Sequence, residues 1–131
     1  MSKPVILCVD DEIIILEILR KQLHQAFKDK FIYEFAESAE EALDIIEEHY
    51  KNNLDIAVII SDWLMPGLRG DDFLIAVHQT FPHIIKIILT GQADKIAIER
   101  ARQQANLHSC LPKPWKSDEL IESIKLGLSK F

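Results

Sequence analysis

The sequence predicts an α/β fold in three layers, a doubly wound parallel sheet of five strands in the order 2-1-3-4-5. Three observations predict it. Short β-branched runs alternate five times with longer segments of helical period. The third run, residues 56–60, is apolar throughout, as befits a strand covered on both faces. The chain has 131 residues, 48% of them hydrophobic, enough for one core without disulfide or metal staples. A single domain over 1–131 is therefore expected.

Each element follows from its local pattern. Residues 4–9 form the first run, and Leu16, Leu19, Leu23 and Phe27 then recur at helical spacing. Residues 31–35 form the second. Ser38 follows, with Glu41 three residues on as a capping box, and Ala42, Ile45, Ile46 and His49 share one face of the helix. After the third run comes a Pro66-Gly67 loop. The helix beyond it carries Phe73, Leu74, Val77 and Phe81 and is stopped by Pro82. Residues 84–89 form the fourth run. The helix after it has only a small apolar side, made of Ala97, Ala101 and Ala105. Residues 108–111 form the fifth. The last helix takes Ser117 as its N-cap and turns Leu120, Ile121, Ile124 and Leu128 inward.

Composition bounds the setting. A net charge of −6 argues against direct nucleic-acid binding, which needs a basic surface. Cys8 and Cys110 sit in apolar runs at no metal-ligand spacing and read as small core residues in a reducing compartment. No apolar run approaches the ~20 residues that span a bilayer. The opening Met-Ser-Lys-Pro leads into an apolar stretch that ends at Asp10-Asp11-Glu12, unlike a signal peptide. A cytoplasmic protein with no membrane association is expected. His24, His49, His78, His83 and His108 form no metal set.

Right-handed crossovers place the carboxyl ends of all five strands on one edge, and ligands bind where strands 1 and 3 part. Strand 1 ends in Asp10-Asp11, strand 3 in Ser61-Asp62 and strand 4 in Thr90-Gly91; strand 5 is followed by Lys113-Pro114. Taken singly, Asp11 reads equally as a helix cap, Asp62 as a loop cap, Thr90 as a strand end and Lys113 as a solvated lysine. Taken together they place three carboxylates, a hydroxyl and an ammonium on one edge. Converging carboxylates take up protons or hold a cation, and oxygen-only ligands suit Mg²⁺. Such a set supplies what phosphoryl transfer needs, and a carboxylate can itself be the nucleophile.

These residues resemble a known family. Val9-Asp10-Asp11-Glu12, Ser61-Asp62-Trp63-Leu64-Met65-Pro66-Gly67, Leu89-Thr90-Gly91 and Leu111-Pro112-Lys113-Pro114-Trp115 are similar to the signature blocks of response-regulator receiver domains of two-component systems, in order and over essentially the whole chain. The resemblance implies the flavodoxin-like form of the fold. It implies Asp62 as phosphoacceptor and Asp10, Asp11, Asp62 and the backbone carbonyl of Leu64 as ligands of Mg²⁺ (or Mn²⁺). Thr90 would be the switch hydroxyl, Lys113 the partner of a phosphoryl oxygen, and the bond to Pro114 cis. Leu64 and Gln92 would flank the path of hydrolytic water. The aromatic position of the family's switch is occupied by Cys110, whose thiol has no ring to swing. Trp63 and Trp115 are expected to pack beside the cleft.

The resemblance further implies a histidine kinase or phosphotransfer protein as phosphodonor. The output would be a downstream effector protein or a further domain of the same chain, and a dimer through the fourth and fifth helices rests on family analogy alone. The domain would catalyse only its own phosphotransfer and dephosphorylation. Two other readings stand beside this one. A pseudo-receiver would use the fold for docking only. A Mg²⁺-dependent aspartate-nucleophile phosphatase would carry an acid two residues past the nucleophile, where this chain has Leu64.

Overall fold

Alternation along the chain becomes alternation of layers in space. A computed structural model describes residues 3–91 and 94–130. Strands β1 (Val5–Val9), β2 (Ile32–Ala36), β3 (Ile56–Asp62), β4 (Ile85–Thr90) and β5 (Ser109–Pro112) form one parallel sheet in the order β2-β1-β3-β4-β5. Helices α1 (Ile13–Phe27), α2 (Ala39–Lys51), α3 (Gly70–Thr80), α4 (Lys95–Ala105) and α5 (Ser117–Leu128) separate them, with a short 3₁₀ turn at Lys28–Lys30. This is the fold expected from the sequence.

Side chains alternate between the faces of each strand, so the sheet builds two cores. Ile6, Cys8, Val58, Ile60, Ile85, Ile87 and Leu89 meet Leu16, Leu19, Leu23 and Phe27 of α1 and Leu120 and Ile124 of α5. On the opposite face, Val5, Leu7, Val9, Ile59 and Ile88 meet α2, α3 and the three alanines of α4. All of β1 is buried, and β3 is nearly so, which accounts for their unbroken apolar runs.

Several local expectations shift. Ser38 Oγ accepts from the N–H of Glu41 at 3.1 Å, as a capping box requires, but Glu41 Oε1 takes the N–H of Glu37 at 2.6 Å instead of that of Ser38. Ser117 is not the N-cap of α5. The cap is Lys116, in extended backbone, whose carbonyl accepts from Leu120 at 3.1 Å, and Ser117 is the first helical residue. Phe81 lies just past α3, because the residue before a proline is driven out of the helical region. Its ring packs edge-on against Tyr50 at 5.3 Å. Ile121 and Leu128 are half-buried, leaving Leu120 and Ile124 to seat α5.

Candidate functional site

The site stands at the carboxyl edge of the central strands, where the parallel order puts the ends of β1 and β3 side by side. Asp10 follows β1 and is buried. Its Oδ1 accepts from the N–H of Glu12 at 2.8 Å, and its Oδ2 accepts from Lys113 Nζ at 2.7 Å. Asp62 closes β3, and Lys113 Nζ lies 3.3 Å from its Oδ1. Asp11 is exposed at the rim. It does not cap α1, whose N-cap position is Glu12 with no side-chain cap bond. Ligand oxygens of Asp10, Asp11 and Asp62 all lie within 4.8 Å of one another.

Lys113 reaches this point because β5 delivers it. Its backbone N–H donates to the carbonyl of Thr90 at 2.8 Å, and the Lys113–Pro114 peptide is cis. Thr90 ends β4 and is buried. Asp11, Glu12, Asp62, Leu64, Met65, Pro66, Thr90, Gly91 and Lys113 line a single cleft of about 520 Å³. An apolar hollow of about 250 Å³ beside Tyr50, Phe81 and Ile84 lies away from this cleft and gathers no comparable charge set.

The electrostatics follow from crowding. Burial pushes the Asp62 carboxyl above its ordinary pKa, and the charge of Asp10 adds to this; Lys113 and the backbone N–H of Leu64 oppose it. Burial works against the Lys113 ammonium. Its hydrogen bond to Asp10 and the charges of Asp10 and Asp62 outweigh that and hold its pKa above the ordinary value. Three acids facing one ammonium leave an oxygen-only donor set with excess negative charge. Such a set fits a hard divalent cation and a phosphate that completes its shell.

The strand-end residues named from the sequence therefore converge. Neither indole lines the cleft. Trp63 is buried in the α2–α3–α4 core, and Trp115 donates its Nε1–H to Gln22 Oε1 of α1 at 2.8 Å. Cys110 is half-buried against the same core as Trp63, where burial raises its thiol pKa. Gln92 lies outside the described residues.

Sequence reasoning missed what stands behind Asp62. Gly70 opens α3 so close to β3 that a Cβ there would lie 2.2 Å from the Asp62 carbonyl oxygen. Asp71 is fully buried, and both Arg69 (3.2 Å) and Arg100 (3.1 Å) reach its Oδ2. A glycine directly before two acids at a helix start was the only available signal.

Comparison with known proteins agrees with this fold. The family described as response regulator receiver domain matches residues 6–125. The hydrogenase transcriptional regulatory protein HoxA of Cupriavidus necator is 31% identical over 120 residues, covering 92% of this chain and 23% of that protein. The transcriptional regulatory protein CpxR homolog of Haemophilus influenzae is 32% identical over 99% of this chain and 52% of its own length. The chain thus spans well under two thirds of either relative. Among solved structures, the signal receiver domain of an HD domain-containing protein from Pseudomonas fluorescens Pf-5 superposes with a TM-score of 0.87 at 28% identity, covering 98% of this chain and 97% of that one. A response regulator receiver domain protein from Clostridium thermocellum gives 0.82 at 30% identity, covering 97% and 95%.

Proposed function

The chain belongs to the response regulator receiver family, a signalling module of two-component systems and not an enzyme with an outside substrate, and we propose that it stores its signal as a phosphoryl group on Asp62. The donor is the phosphohistidine of a histidine kinase or phosphotransfer protein. One observation carries this reading: Lys113 Nζ reaches both Asp10 (2.7 Å) and Asp62 (3.3 Å) in a cleft where three carboxylates converge.

In the proposed step an Asp62 carboxylate oxygen attacks phosphorus, and the P–N bond to the donor imidazole breaks with its electron pair left on nitrogen. Lys113 pairs with one phosphoryl oxygen, and the Thr90 hydroxyl, at the end of the neighbouring strand, takes another. Asp10, Asp11, Asp62 and the Leu64 carbonyl are the groups that would hold Mg²⁺ (or Mn²⁺). Once bound, the ion offsets charge on the transferring phosphoryl oxygens. Asp10 has a second task, because its hydrogen bond keeps Lys113 charged and aimed at Asp62.

The loaded state is read as a population shift, either by an effector protein or by a further domain of the same polypeptide. Several relatives are named as transcriptional regulators, so a receiver controlling transcription through such a domain is the output we favour. Among the described residues no helix is long and apolar enough to cross a membrane. The free thiols of Cys8 and Cys110 fit a reducing, cytoplasmic setting.

Intact mass after incubation with acetyl phosphate and Mg²⁺ tests the proposal. The expected result is a Mg²⁺-dependent gain of one phosphoryl group that is absent in Asp62→Asn. No gain in the unsubstituted protein would overturn it in favour of a docking-only module.

A further inference from the structure

Lys113 stands on a short connection. β5 ends at Pro112 and α5 begins at Ser117, so residues 113–116 carry the ammonium that faces Asp10 and Asp62. The head of a lysine rides on a flexible four-carbon stem, and fixing it at one point costs rotamer freedom. If the backbone beneath it also wanders, the head spends less time at that point, and every contact made there weakens. Main-chain bonds hold the two ends of the connection. The Lys113 N–H donates to the Thr90 carbonyl at 2.8 Å, and the Lys116 carbonyl accepts from the Leu120 N–H at 3.1 Å.

Between those ends stands Trp115. Its indole Nε1–H donates to Gln22 Oε1 of α1 at 2.8 Å, across 93 positions of sequence. The ring is half-buried against the α1/α5 core. Gln22 is half-buried too, and its stretch of α1 is well seated, because Leu19 and Leu23 beside it are buried in that core. An indole has a single N–H to give, and leaving it unpaired at a half-buried place is unfavourable. Gln22 therefore fixes where the ring lies, and the ring fixes the backbone two residues past Lys113. The carboxylates of the site come from the ends of β1 and β3 and owe nothing to this connection.

We propose that the hydrogen bond from Trp115 to Gln22 tethers the connection to α1 and so positions Lys113 for the phosphoryl group. This rests on the reading of Asp62 as phosphoacceptor. Trp115 and Gln22 are positioning residues: neither lines the cleft, and both act through Lys113.

Two affinities measured on the full chain test the tether: that for the phosphoryl mimic beryllofluoride, by fluorine NMR at saturating Mg²⁺, and that for Mg²⁺ alone, by calorimetry. Gln22→Met removes the acceptor at nearly the same length, and Trp115→Phe removes the donor but keeps a ring. Each should weaken beryllofluoride binding about fivefold and leave Mg²⁺ affinity within about twofold of the parent. The double variant should bind beryllofluoride no more weakly than the weaker single one, because both changes break one bond. Gln22→Glu keeps an acceptor and should restore the affinity to within about twofold. If Gln22→Met binds beryllofluoride as tightly as the unsubstituted protein, the tether is overturned and the phosphoacceptor reading stands. Equal losses in both affinities would overturn it as well, since the whole site and not Lys113 would then have been disturbed. If the unsubstituted protein binds no beryllofluoride, the phosphoacceptor reading fails, and the tether falls with it.

Discussion

The two faces of the sheet are built to different standards. On the α1/α5 side, Leu16, Leu19, Leu23 and Phe27 enter a core of isoleucine, leucine and valine. On the α2/α3/α4 side, α4 offers three alanines and a half-buried Ile98, Asp71 is buried against Arg69 and Arg100, and Lys86 lies fully buried near the start of β4. Every buried side-chain atom without a hydrogen-bond partner among the described residues is on this second side: His49 Nδ1, Trp63 Nε1 and Asp71 Oδ1. Large apolar contacts resist displacement, because any shift opens a cavity. Small residues and polar bonds permit it, because they can be exchanged for others. The first face is held mainly by large apolar contacts, and the second adds small residues and polar bonds to its own apolar core.

The contrast can be broken most directly in α1. Leu19 is buried against the sheet, and Leu19→Ala should lower unfolding stability by about 3 kcal/mol in urea titration. A loss below about 1 kcal/mol would deny that large apolar contacts hold α1.

Lys86 tests the other face. Its Nζ donates to the Ile84 carbonyl at 2.7 Å and lies 3.1 Å from Nδ1 of His78, and burial pushes its pKa down to about 8. Burial first, and the Lys86 charge second, lower the His78 pKa, which favours a neutral imidazole able to accept that bond. The unfolded chain keeps its Lys86 proton up to the ordinary 10.5, and the folded chain keeps it only to about 8. Between these values the unfolded state binds more protons, so this group makes the protein more stable as pH rises; below about 8 its contribution is flat and unfavourable. Lys86→Met should therefore raise stability at pH 7 by on the order of 2 kcal/mol, after the loss of the Ile84 bond is offset. The advantage of the variant should shrink between pH 8 and 10, because the parent gains stability there as Lys86 loses its proton and the variant has no such group. Denaturation midpoints that fall at pH 7 would mean that the lysine stabilises this face.

The smallest effect is expected where a second core would resist most. Ala101→Leu inserts bulk beneath α4, an overpacking that typically removes 1–3 kcal/mol. If α4 is free to ride outward, thermal unfolding should report a loss near the bottom of that range, about 1 kcal/mol. A loss above about 3 kcal/mol would make α4 as fixed as α1.

What could be read in advance divides along physical lines. Strand–helix alternation and the residues at the strand ends were legible, because period and topology alone decide which edge they occupy. Asp10, Asp11, Asp62, Thr90 and Lys113 meet for that reason. The contacts of Arg69 and Arg100 with Asp71 were not legible. Arg100 lies 29 positions from Asp71, and spacing fixes the face a residue occupies on its own element, not what the next element brings to it. Lys86 was hidden because one lysine inside an apolar run changes neither the period nor the strand reading. The helix caps erred by single residues, as at Ser117, where the neighbouring backbone and not the side chain ends the helix. The absence of a ring at Cys110 was visible, but the burial of Asp71 between Arg69 and Arg100 was not.

The two thiols fall on opposite sides of this division. Cys8 lies wholly buried in β1 with burial raising its pKa, and Cys110 is half-buried on β5. An alkylating reagent attacks only exposed thiolate, so each cysteine keeps its own time. Cys8 is consumed at the pace of complete unfolding, and Cys110 at the pace of partial openings around β5. The chain carries two chemical clocks, and the ratio of their rates measures how much more often β5 opens than the whole chain unfolds.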